Sequence, residues 1–470
     1  MTQRQTNRRN RRQFLGDAAG AGLAGVFGMF MQRLAIAESS YSITGYGALR
    51  PAKDESTGLE LLSLPEGFRY RSFGWTHDLM ADGNPTPPQH DGMGIVGEEN
   101  GILTLVRNHE IKTGTTEFGT DAMQFDPKAG GGCVTLRFNS VTGEWIDAMP
   151  SLAGTVKNCA GGPTPWGTWL SCEETVMGPG SVDDGETFDF ECDHGWIFEV
   201  DPAANEAPPV PLKAMGRFKH EAIAVDPQTG IVYETEDQTT AGFYRFIPNE
   251  RGNLKAGGKL QMLRAEGTQD VRKGLEVGQE FGVSWIDIED VERAHSPNSA
   301  TEECPDGDEL GVYMQGKAQG ATTFARLEGC WFGNDLVYLD STSGGDREVG
   351  QIWQYDPRSE RLKLIFESPG ADVLDSPDNL TVSPRGGIVL CEDGDVLPHR
   401  IHGLTPEGRL FTFGENSVQL NGEKNDLAGD FRAEEWAGAT FSPDGKWLFV
   451  NIQTPGITLA ITGPWGAGLL

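Results

Sequence analysis

The chain has 470 residues, with 69 acidic and 38 basic side chains and a formal net charge of −31. This excess of negative charge repels nucleic acid phosphates and anionic membrane surfaces, which argues against both as partners and favours divalent cations. A hydrophobic fraction of 37% is enough to bury a core, and the 63 glycines and 27 prolines spread along the chain indicate many short strands and turns.

Residues 1–37 are predicted to be an export signal. The pair Arg11 and Arg12 precedes a weakly apolar run over 18–31, and the small residues at 35–37 are typical of a cleavage site. The pattern resembles a twin-arginine signal, which the twin-arginine translocation machinery reads to export folded proteins. A disordered basic tail is the alternative. Because the apolar run is too short to span a bilayer, we expect no stable membrane insertion. The export signal predicts a periplasmic or secreted protein, and we expect it to be a monomer.

Six segments share one pattern, in which two alternating strands are joined by a turn and polar residues open the first strand and end the second. They cover residues 91–110, 159–174, 220–237, 327–342, 377–394 and 436–454. Most are followed by a second hairpin, so each repeat predicts a four-stranded blade. Residues 38–470 are therefore predicted to form a single all-β domain, a six-bladed β-propeller. A sandwich or a set of smaller β domains is the alternative.

The two ends of this predicted propeller are incomplete. The sixth segment is followed by only one more strand, at 456–463, while an unpaired strand at 67–74 precedes the first segment. We expect these two strands to pair and complete the last blade, which would leave no exposed sheet edge. The long interval after the third segment predicts an insertion on blade three, at about residues 255–320.

The polar positions of the repeats predict a metal site. In an antiparallel pair, the first residue of one strand lies beside the last residue of its partner, so the acidic residues at these positions should converge on one mouth of the channel. So many close carboxylates cannot all stay ionised without compensating charge. Oxygen ligands suit Ca²⁺ or Mg²⁺, whereas a thiolate selects a softer ion such as iron or zinc. Solvated turn residues are the alternative.

The sequence GTWLSCEE places Cys172 directly before two glutamates. Neighbouring negative charge raises the pKa of a thiol and makes it a poor nucleophile, so we expect Cys172 to bind a metal ion. Packing of a buried free cysteine is the alternative. The chain has seven cysteines, an odd number for an exported protein, so at least one is expected to lie outside an intrachain disulfide.

The motifs RNHE, GTWLSCEE, GRFKHEA, FARLEG, DSPDNL and GATFSPDGKWLFVNIQTPG resemble, in order, those of the PhoX-type alkaline phosphatases. The resemblance implies an exported six-bladed propeller in which Fe³⁺ and Ca²⁺ ions cleave small phosphate monoesters. It implies that Cys172 binds iron, that Glu221, Glu328 and Asp378 are acidic metal ligands, and that Arg326 contacts the phosphate.

Four more acids are candidate metal ligands: Glu110, Glu173, Glu174 and Glu236. Neighbouring residues of a strand point to opposite faces, and the sequence does not say which face looks inward. The resulting hypothesis is metal-assisted phosphoryl transfer, in which cations neutralise the phosphate, an oxygen that they activate attacks phosphorus, and Arg326 stabilises the developing charge. A calcium-dependent lactonase-type propeller and a non-catalytic binding propeller remain as alternatives.

Overall fold

The computed structural model describes residues 43–113, 119–183, 186–203, 208–293, 311–467 and 470. The predicted signal peptide and Cys304 lie outside these residues. The described part of the chain has thirty strands, the α-helix α1 (Val312–Ala318) and four short 3₁₀ helices at Asp121–Met123, Lys213–Met215, Leu254–Ala256 and Trp465–Ala467. The fold is therefore all-β, as the sequence predicted. No helix within this part of the chain has the length and apolar character needed to cross a membrane.

The first half of the described chain contains seventeen strands. They are β1 (Leu49–Ala52), β2 (Leu62–Pro65), β3 (Arg69–Phe73), β4 (His90–Glu99), β5 (Ile102–His109), β6 (Gly131–Asn139), β7 (Glu144–Thr155), β8 (Asn158–Pro163), β9 (Trp169–Glu173), β10 (Val182–Asp183), β11 (Glu186–Thr187), β12 (Ile197–Val200), β13 (His220–Val225), β14 (Val232–Glu236), β15 (Phe243–Pro248), β16 (Gly258–Ala265) and β17 (Glu280–Asp287).

The second half contains thirteen strands. They are β18 (Leu327–Gly333), β19 (Leu336–Ser341), β20 (Gln351–Asp356), β21 (Arg361–Glu367), β22 (Pro377–Val382), β23 (Ile388–Glu392), β24 (Arg400–Leu404), β25 (Leu410–Asn416), β26 (Gln419–Asn421), β27 (Ala428–Asp430), β28 (Trp436–Phe441), β29 (Trp447–Ile452) and β30 (Ile457–Thr462).

These strands form antiparallel sheets that follow the six sequence repeats. The strand orders are β4-β5-β6-β7, β8-β9-β12 and β28-β29-β30-β3, and β22-β23-β24-β25 continues into β2 and β1. The third and fourth repeats, β13 to β16 and β18 to β21, belong to one nine-stranded sheet because β17 pairs with both β16 and β21. Two short ribbons, β10-β11 and β26-β27, stand apart from these sheets.

The first strands of the six repeats pack side by side in a closed cycle. In order, β4, β8, β13, β18, β22 and β28 each contact the next, and β28 contacts β4 again. Glycine permits the close approach at two of these contacts. A Cβ atom at Gly92 would lie 2.4 Å from Cα of Ala160, and one at Gly329 would lie 2.8 Å from the backbone nitrogen of Leu380. Any larger residue would push these strands apart.

Side chains also link one repeat to the first strand of the next. Asn108 at the end of β5 donates to the carbonyl oxygen of Ala160 in β8 at 2.6 Å, and Asn451 in β29 donates to that of Asp91 in β4 at 2.6 Å. Apolar clusters fill the space between neighbouring sheets; one of them contains the buried Trp436. The first strands of the cycle are thus held by both packing and hydrogen bonds.

The predicted pairing of the two ends is present. Strand β3 pairs antiparallel with β30, with Tyr70 opposite Ile461. The predicted start of the insertion at about residue 255 is too early, because β16 pairs with β15 as the fourth strand of its repeat. The segment that leaves this repeat therefore begins after Ala265, and its described part contains β17 and α1.

Candidate metal centre

An acidic cavity of about 170 Å³ lies where the six first strands begin. Its lining combines nine carboxylic side chains with one thiol, one amide and one guanidinium group. The lining residues are Asp91, Glu110, Cys159, Glu174, Glu221, Asp237, Arg326, Glu328, Asp378, Asn379, Asp393 and Glu435. Every one of the six repeats contributes at least one of them.

A β-bulge at the start of each first strand explains five residues of this set. The strand register shifts directly after His90, Asn158, His220, Leu327, Pro377 and Ala437. A bulge re-aims the side chains next to it, and the residue that follows each shift is Asp91, Cys159, Glu221, Glu328, Asp378 or Gly438. The first five line the cavity. The sixth is a glycine, and Glu435, three residues earlier, lines the cavity in its place.

The backbone just before these strands is strained in four repeats. Gln89, Lys157, Arg326 and Ser376 have φ angles of 52°, 49°, 43° and 51°. This left-handed conformation costs a non-glycine residue about 1–3 kcal/mol. Each strained residue lies two positions before a residue that lines the cavity. The surrounding structure therefore holds the chain in an unfavourable backbone conformation just before these side chains.

The second strands supply the other cavity acids by a simple rule. Glu110, Glu174, Asp237 and Asp393 each follow directly after the last residue of β5, β9, β14 and β23, respectively. Because side chains alternate along a strand, the last residue within the strand points away from the cavity. This alternation decides between the adjacent candidates that the sequence left open.

Glu173, the last residue of β9, is one of the predicted ligands that the structure does not bring to the cavity. Its Oε1 accepts a hydrogen bond from the backbone nitrogen of Val156 at 2.8 Å and lies 2.7 Å from Nδ1 of His194. Its Oε2 accepts from the backbone nitrogens of Gly195 and Trp196 at 2.9 and 3.1 Å. The side chain is fully buried and tied to the protein, so its position is structural.

Glu236, the last residue of β14, also points away from the cavity. Its Oε2 accepts hydrogen bonds from the backbone nitrogen of Gly242 at 2.9 Å and from the hydroxyl of Tyr244 at 2.7 Å, while Gln238 donates to Oε1 at 3.2 Å. These contacts occupy both carboxylate oxygens. The prediction that Glu236 contributes to the cavity is therefore corrected, and its neighbour Asp237 is there instead.

Cys172 lies in the protein interior and does not line the cavity, whereas Cys159 does. Cys172 is completely buried in an apolar cluster with Leu170 and Ile197. Burial, followed by the charge of Glu221, raises the pKa of its thiol. The thiol at the cavity is Cys159, which the sequence analysis did not single out although it occupies the same repeat position as Asp91 and Glu221.

Five of the predicted acidic ligands do meet in the cavity, together with four further acids. The predicted ones are Glu110, Glu174, Glu221, Glu328 and Asp378. Asp91, Asp237 and Asp393 have the repeat positions that the sequence pattern marked. Glu435 does not, since it precedes its strand, and nothing in the repeat pattern identified it.

The carboxyl groups of the cavity are buried close together, and this opposes their ionisation. Burial, followed by repulsion from Glu110, raises the pKa of Asp91, and burial, followed by repulsion from Asp378, raises the pKa of Glu221 and of Glu435. Burial, with Asp393 as the next cause, raises the pKa of Asp378 from 3.8 to about 7. These carboxyl groups can all be ionised near neutral pH only if cations compensate their charge.

Their geometry fits multivalent cations. One oxygen from each of Glu221, Glu328 and Asp378 can lie within 4.8 Å of the others, and the same holds for Asp378, Asp393 and Glu435. Groups of carboxylate oxygens at such spacing suit hard divalent ions. The buried acids, their raised pKa values and the two oxygen groups together make the cavity suited to bind metal ions.

Arg326 lines the cavity as predicted, with its side chain 40% exposed. Its Nε donates to Asp237 Oδ1 at 2.9 Å, and its Nη2 donates to Glu328 Oε1 at 2.6 Å. Attraction from Glu328 is the main cause that raises the pKa of the guanidinium. These bonds fix a permanent cation in the lining and leave Nη1 without a partner among the described residues.

Comparison with known proteins identifies the family. The model of the alkaline phosphatase PhoX family matches residues 44–149 and 141–456. The solved structure of Pseudomonas fluorescens PhoX in complex with vanadate, a transition state analogue, shares the fold, with 20% sequence identity and a TM-score of 0.63 over 90% of this chain and 99% of that chain.

A gluconolactonase from Xanthomonas campestris is matched less well, with 12% identity and a TM-score of 0.39 over 89% of this chain and 98% of that chain. No curated protein sequence matches the chain. The resemblance seen in the sequence motifs is thus confirmed. Because the family model covers most of its length, the chain belongs to the alkaline phosphatase PhoX family and is a metal-dependent phosphatase.

Proposed function

We propose that this phosphatase hydrolyses phosphate monoesters in the acidic cavity, where multivalent cations and Arg326 bind the phosphate together. The observation that carries the proposal is the convergence of nine carboxylic side chains from six repeats on one cavity that also presents a guanidinium group. An anionic substrate can enter such a cavity only if cations have reversed its charge. The proposal therefore ties substrate binding to metal binding.

We assign Ca²⁺ to the carboxylate groups and iron, as Fe³⁺, to the thiol. Glu221, Glu328 and Asp378 would hold one ion through oxygen ligands, and Asp393 and Glu435 would join Asp378 around another. Cys159 replaces Cys172 as the proposed iron ligand, because a thiolate favours a transition metal and Cys159 is the thiol in the lining. When bound, the cations act as Lewis acids that neutralise the phosphate and make a water oxygen nucleophilic.

Arg326 is proposed to hold the phosphate and to stabilise the charge that develops during its transfer. Asp237 and Glu328 fix the guanidinium through Nε and Nη2, so Nη1 is available to donate to a phosphate oxygen. A charge-assisted hydrogen bond of this kind strengthens as negative charge grows on the oxygen. Because the guanidinium is already held in place, little reorganisation accompanies the reaction.

We also propose that the sheets are the blades of a six-bladed β-propeller, with residues 38–470 as one domain and the segment after Ala265 as an insertion. The closed cycle of first strands and the pairing of β3 with β30 support this arrangement. Residues 1–37 are proposed to be a twin-arginine signal that directs a monomeric enzyme to the periplasm or the exterior. Small phosphate esters would reach it there without crossing the inner membrane.

The test combines metal analysis with kinetics on the purified exported protein. We expect calcium and iron in the protein, hydrolysis of p-nitrophenyl phosphate that stops after chelation, and recovery when calcium and iron are restored. Arg326→Ala should lower kcat by about 100-fold while metal content stays unchanged. Arg358→Ala, which removes an exposed guanidinium paired with Asp335, is the matched control. Full activity of the metal-free protein would refute the proposal.

The lactonase and binding-propeller alternatives are less well supported by the cavity. Neither of them requires a thiol or an arginine beside the acids, and here Cys159 and Arg326 both line the cavity. The comparisons do not favour a lactonase either. Metal analysis separates the possibilities, because calcium without iron would support the lactonase and the absence of tightly bound metal would support the binding module.

A further inference from the structure

Lys157 places a positive charge between two acids of the cavity. Its Nζ lies 3.1 Å from Oε1 of Glu110 and also contacts Oε2 of Glu174. The exposed fractions of the three side chains are small, at 22% for Lys157, 17% for Glu110 and 13% for Glu174. The ammonium group is thus largely shielded from water and bridges acids from the first and second repeats.

The backbone of Lys157 is hydrogen-bonded to the two segments that carry Glu110 and Glu174. Its nitrogen donates to the carbonyl oxygen of Ile111, the residue after Glu110, at 3.0 Å, and its own carbonyl oxygen accepts from the backbone nitrogen of Glu174 at 2.9 Å. Lys157 also has the left-handed φ angle of 49°. The lysine is therefore fixed at its base, and its ammonium group has a defined position between the two carboxylates.

Five of the remaining cavity acids form two groups that share Asp378. The two sets whose ligand oxygens approach within 4.8 Å are Glu221, Glu328 and Asp378, and Asp378, Asp393 and Glu435. Neither set includes Glu110 or Glu174. The cavity thus has a part suited to multivalent ions and a part where a protein cation already compensates some of the negative charge.

We propose that Lys157 is a built-in cation of the metal centre. Its ammonium group stays between Glu110 and Glu174 in the metal-loaded enzyme, compensates one of their two negative charges and so directs the multivalent ions to the other two groups. Lys157 is a positioning residue, since the structure gives it contacts with the two acids. The inference rests on the proposed function, because it takes the cavity to be the site of multivalent cations.

A tethered ammonium group has a different effect from a third exchangeable ion. It carries one charge, so the pair Glu110 and Glu174 keeps a net charge near −1 with Lys157 present. It also cannot dissociate when calcium is scarce. We therefore expect this side of the cavity to stay assembled at calcium concentrations that empty the other two groups.

The number of bound calcium ions tests this proposal. The mature wild-type protein and its variants are stripped with a chelator, reloaded with iron and titrated with calcium by isothermal calorimetry, and the bound calcium is counted by elemental analysis. Lys157→Met, which keeps the length of the side chain but removes its charge, should bind one more calcium ion than wild type. Lys157→Arg should bind the wild-type number.

Lys219 supplies the matched control. Like Lys157 it directly precedes the first strand of its repeat, but its ammonium group is not within 4 Å of any carboxylate in the described ranges, and its charge acts on Glu174 only from a greater distance. Lys219→Met removes one positive charge near the same mouth and should leave the calcium count unchanged. An extra calcium ion in both lysine variants would show that only overall charge matters, and it would overturn the proposal.

Glu174→Gln tests the same idea from the side of the acid. If Lys157 occupies this position in the loaded enzyme, Glu174→Gln binds as many calcium ions as wild type. One calcium ion fewer would mean that a metal replaces the ammonium group, and the proposal would be wrong. An unchanged count in folded Lys157→Met would also overturn it, and if that variant does not fold, Glu174→Gln decides alone. A wild-type protein that binds no calcium would instead refute the proposed function.

Discussion

Cys159 and Cys172 allow a role in the cavity to be separated from a role in the core. Both thiols are buried, with exposed fractions of 5% and 0%, and both belong to one apolar cluster. Replacement by alanine removes one sulfur atom at either position. The lost burial is close to that of one methylene group, so each variant should lose about 1 kcal/mol of the free energy of unfolding, which lowers Tm by about 1 °C in a chain of this size.

The effect on the metal centre should differ sharply. Cys159 lines the cavity beside Glu174 and Glu221, so Cys159→Ala removes a proposed iron ligand, whereas Cys172→Ala leaves the lining intact. A bound metal ion contributes several kcal/mol to stabilisation of the transition state, and each 1.36 kcal/mol corresponds to a tenfold change in rate. We therefore expect kcat to fall by about 100-fold or more in Cys159→Ala.

Three measurements on the same preparations check this prediction. Iron content should fall in Cys159→Ala and stay at the wild-type value in Cys172→Ala. Scanning calorimetry of the metal-free proteins should show similar small losses of Tm in both variants. Hydrolysis of p-nitrophenyl phosphate should follow iron content. Loss of iron from Cys172→Ala, with iron retained in Cys159→Ala, would refute the assignment of the cavity thiol.

Further predictions concern the arginine, a buried acid and pH. Arg326→Lys keeps the charge but loses the planar guanidinium that binds both Asp237 and Glu328. We expect kcat to fall about 10-fold to 100-fold with metal content unchanged. Steady-state kinetics check this, and an unchanged kcat would contradict it. Glu173→Ala leaves three buried backbone N–H groups without their acceptor and should cost about 3–5 kcal/mol of stability with or without metal, as measured by denaturant unfolding. Because the folded pKa of Asp378 is raised from 3.8 to about 7, the folded metal-free protein binds this proton more tightly than the unfolded chain, so its stability should fall as pH rises from about 4 to about 7 and level off above that. Bound calcium should replace the proton and abolish that fall. Tm is measured across this pH range with and without calcium, and a Tm of the metal-free protein that rises with pH would contradict the prediction.

The repeat pattern predicted the all-β class, the succession of hairpins and part of the site. Acidic residues that open the strands, such as Glu221 and Asp378, could be placed in one cavity because they recur at equivalent positions of successive repeats. The strand ends were harder to interpret, because Glu173 and Glu174 are chemically identical neighbours. Which of them faces the cavity depends on the residue at which β9 ends. The end of a strand cannot be located to one residue from a sequence.

The position of Cys172 outside the cavity lining has a different reason. The prediction for Cys172 rests on the two glutamates that follow it in the sequence, whereas the direction of a side chain depends on the register of its strand. Cys159 has the repeat position of Asp91, and comparison of the repeats alone could have identified it. Glu435 could not have been found in this way, since it lies before β28 and compensates for the missing side chain at Gly438.

The pairing of β3 with β30 sets an order for biosynthesis. When β3 leaves the ribosome, the strand that it needs has yet to be translated, and most of the chain must be made before it appears. Glu435 is likewise synthesised late, whereas Asp91 is synthesised early. The acids therefore meet only after translation has passed β30, so iron and calcium can be loaded only into a finished chain. A product that stops short of residue 457 would keep an open, uncompensated acidic groove and would be a ready target for proteolysis.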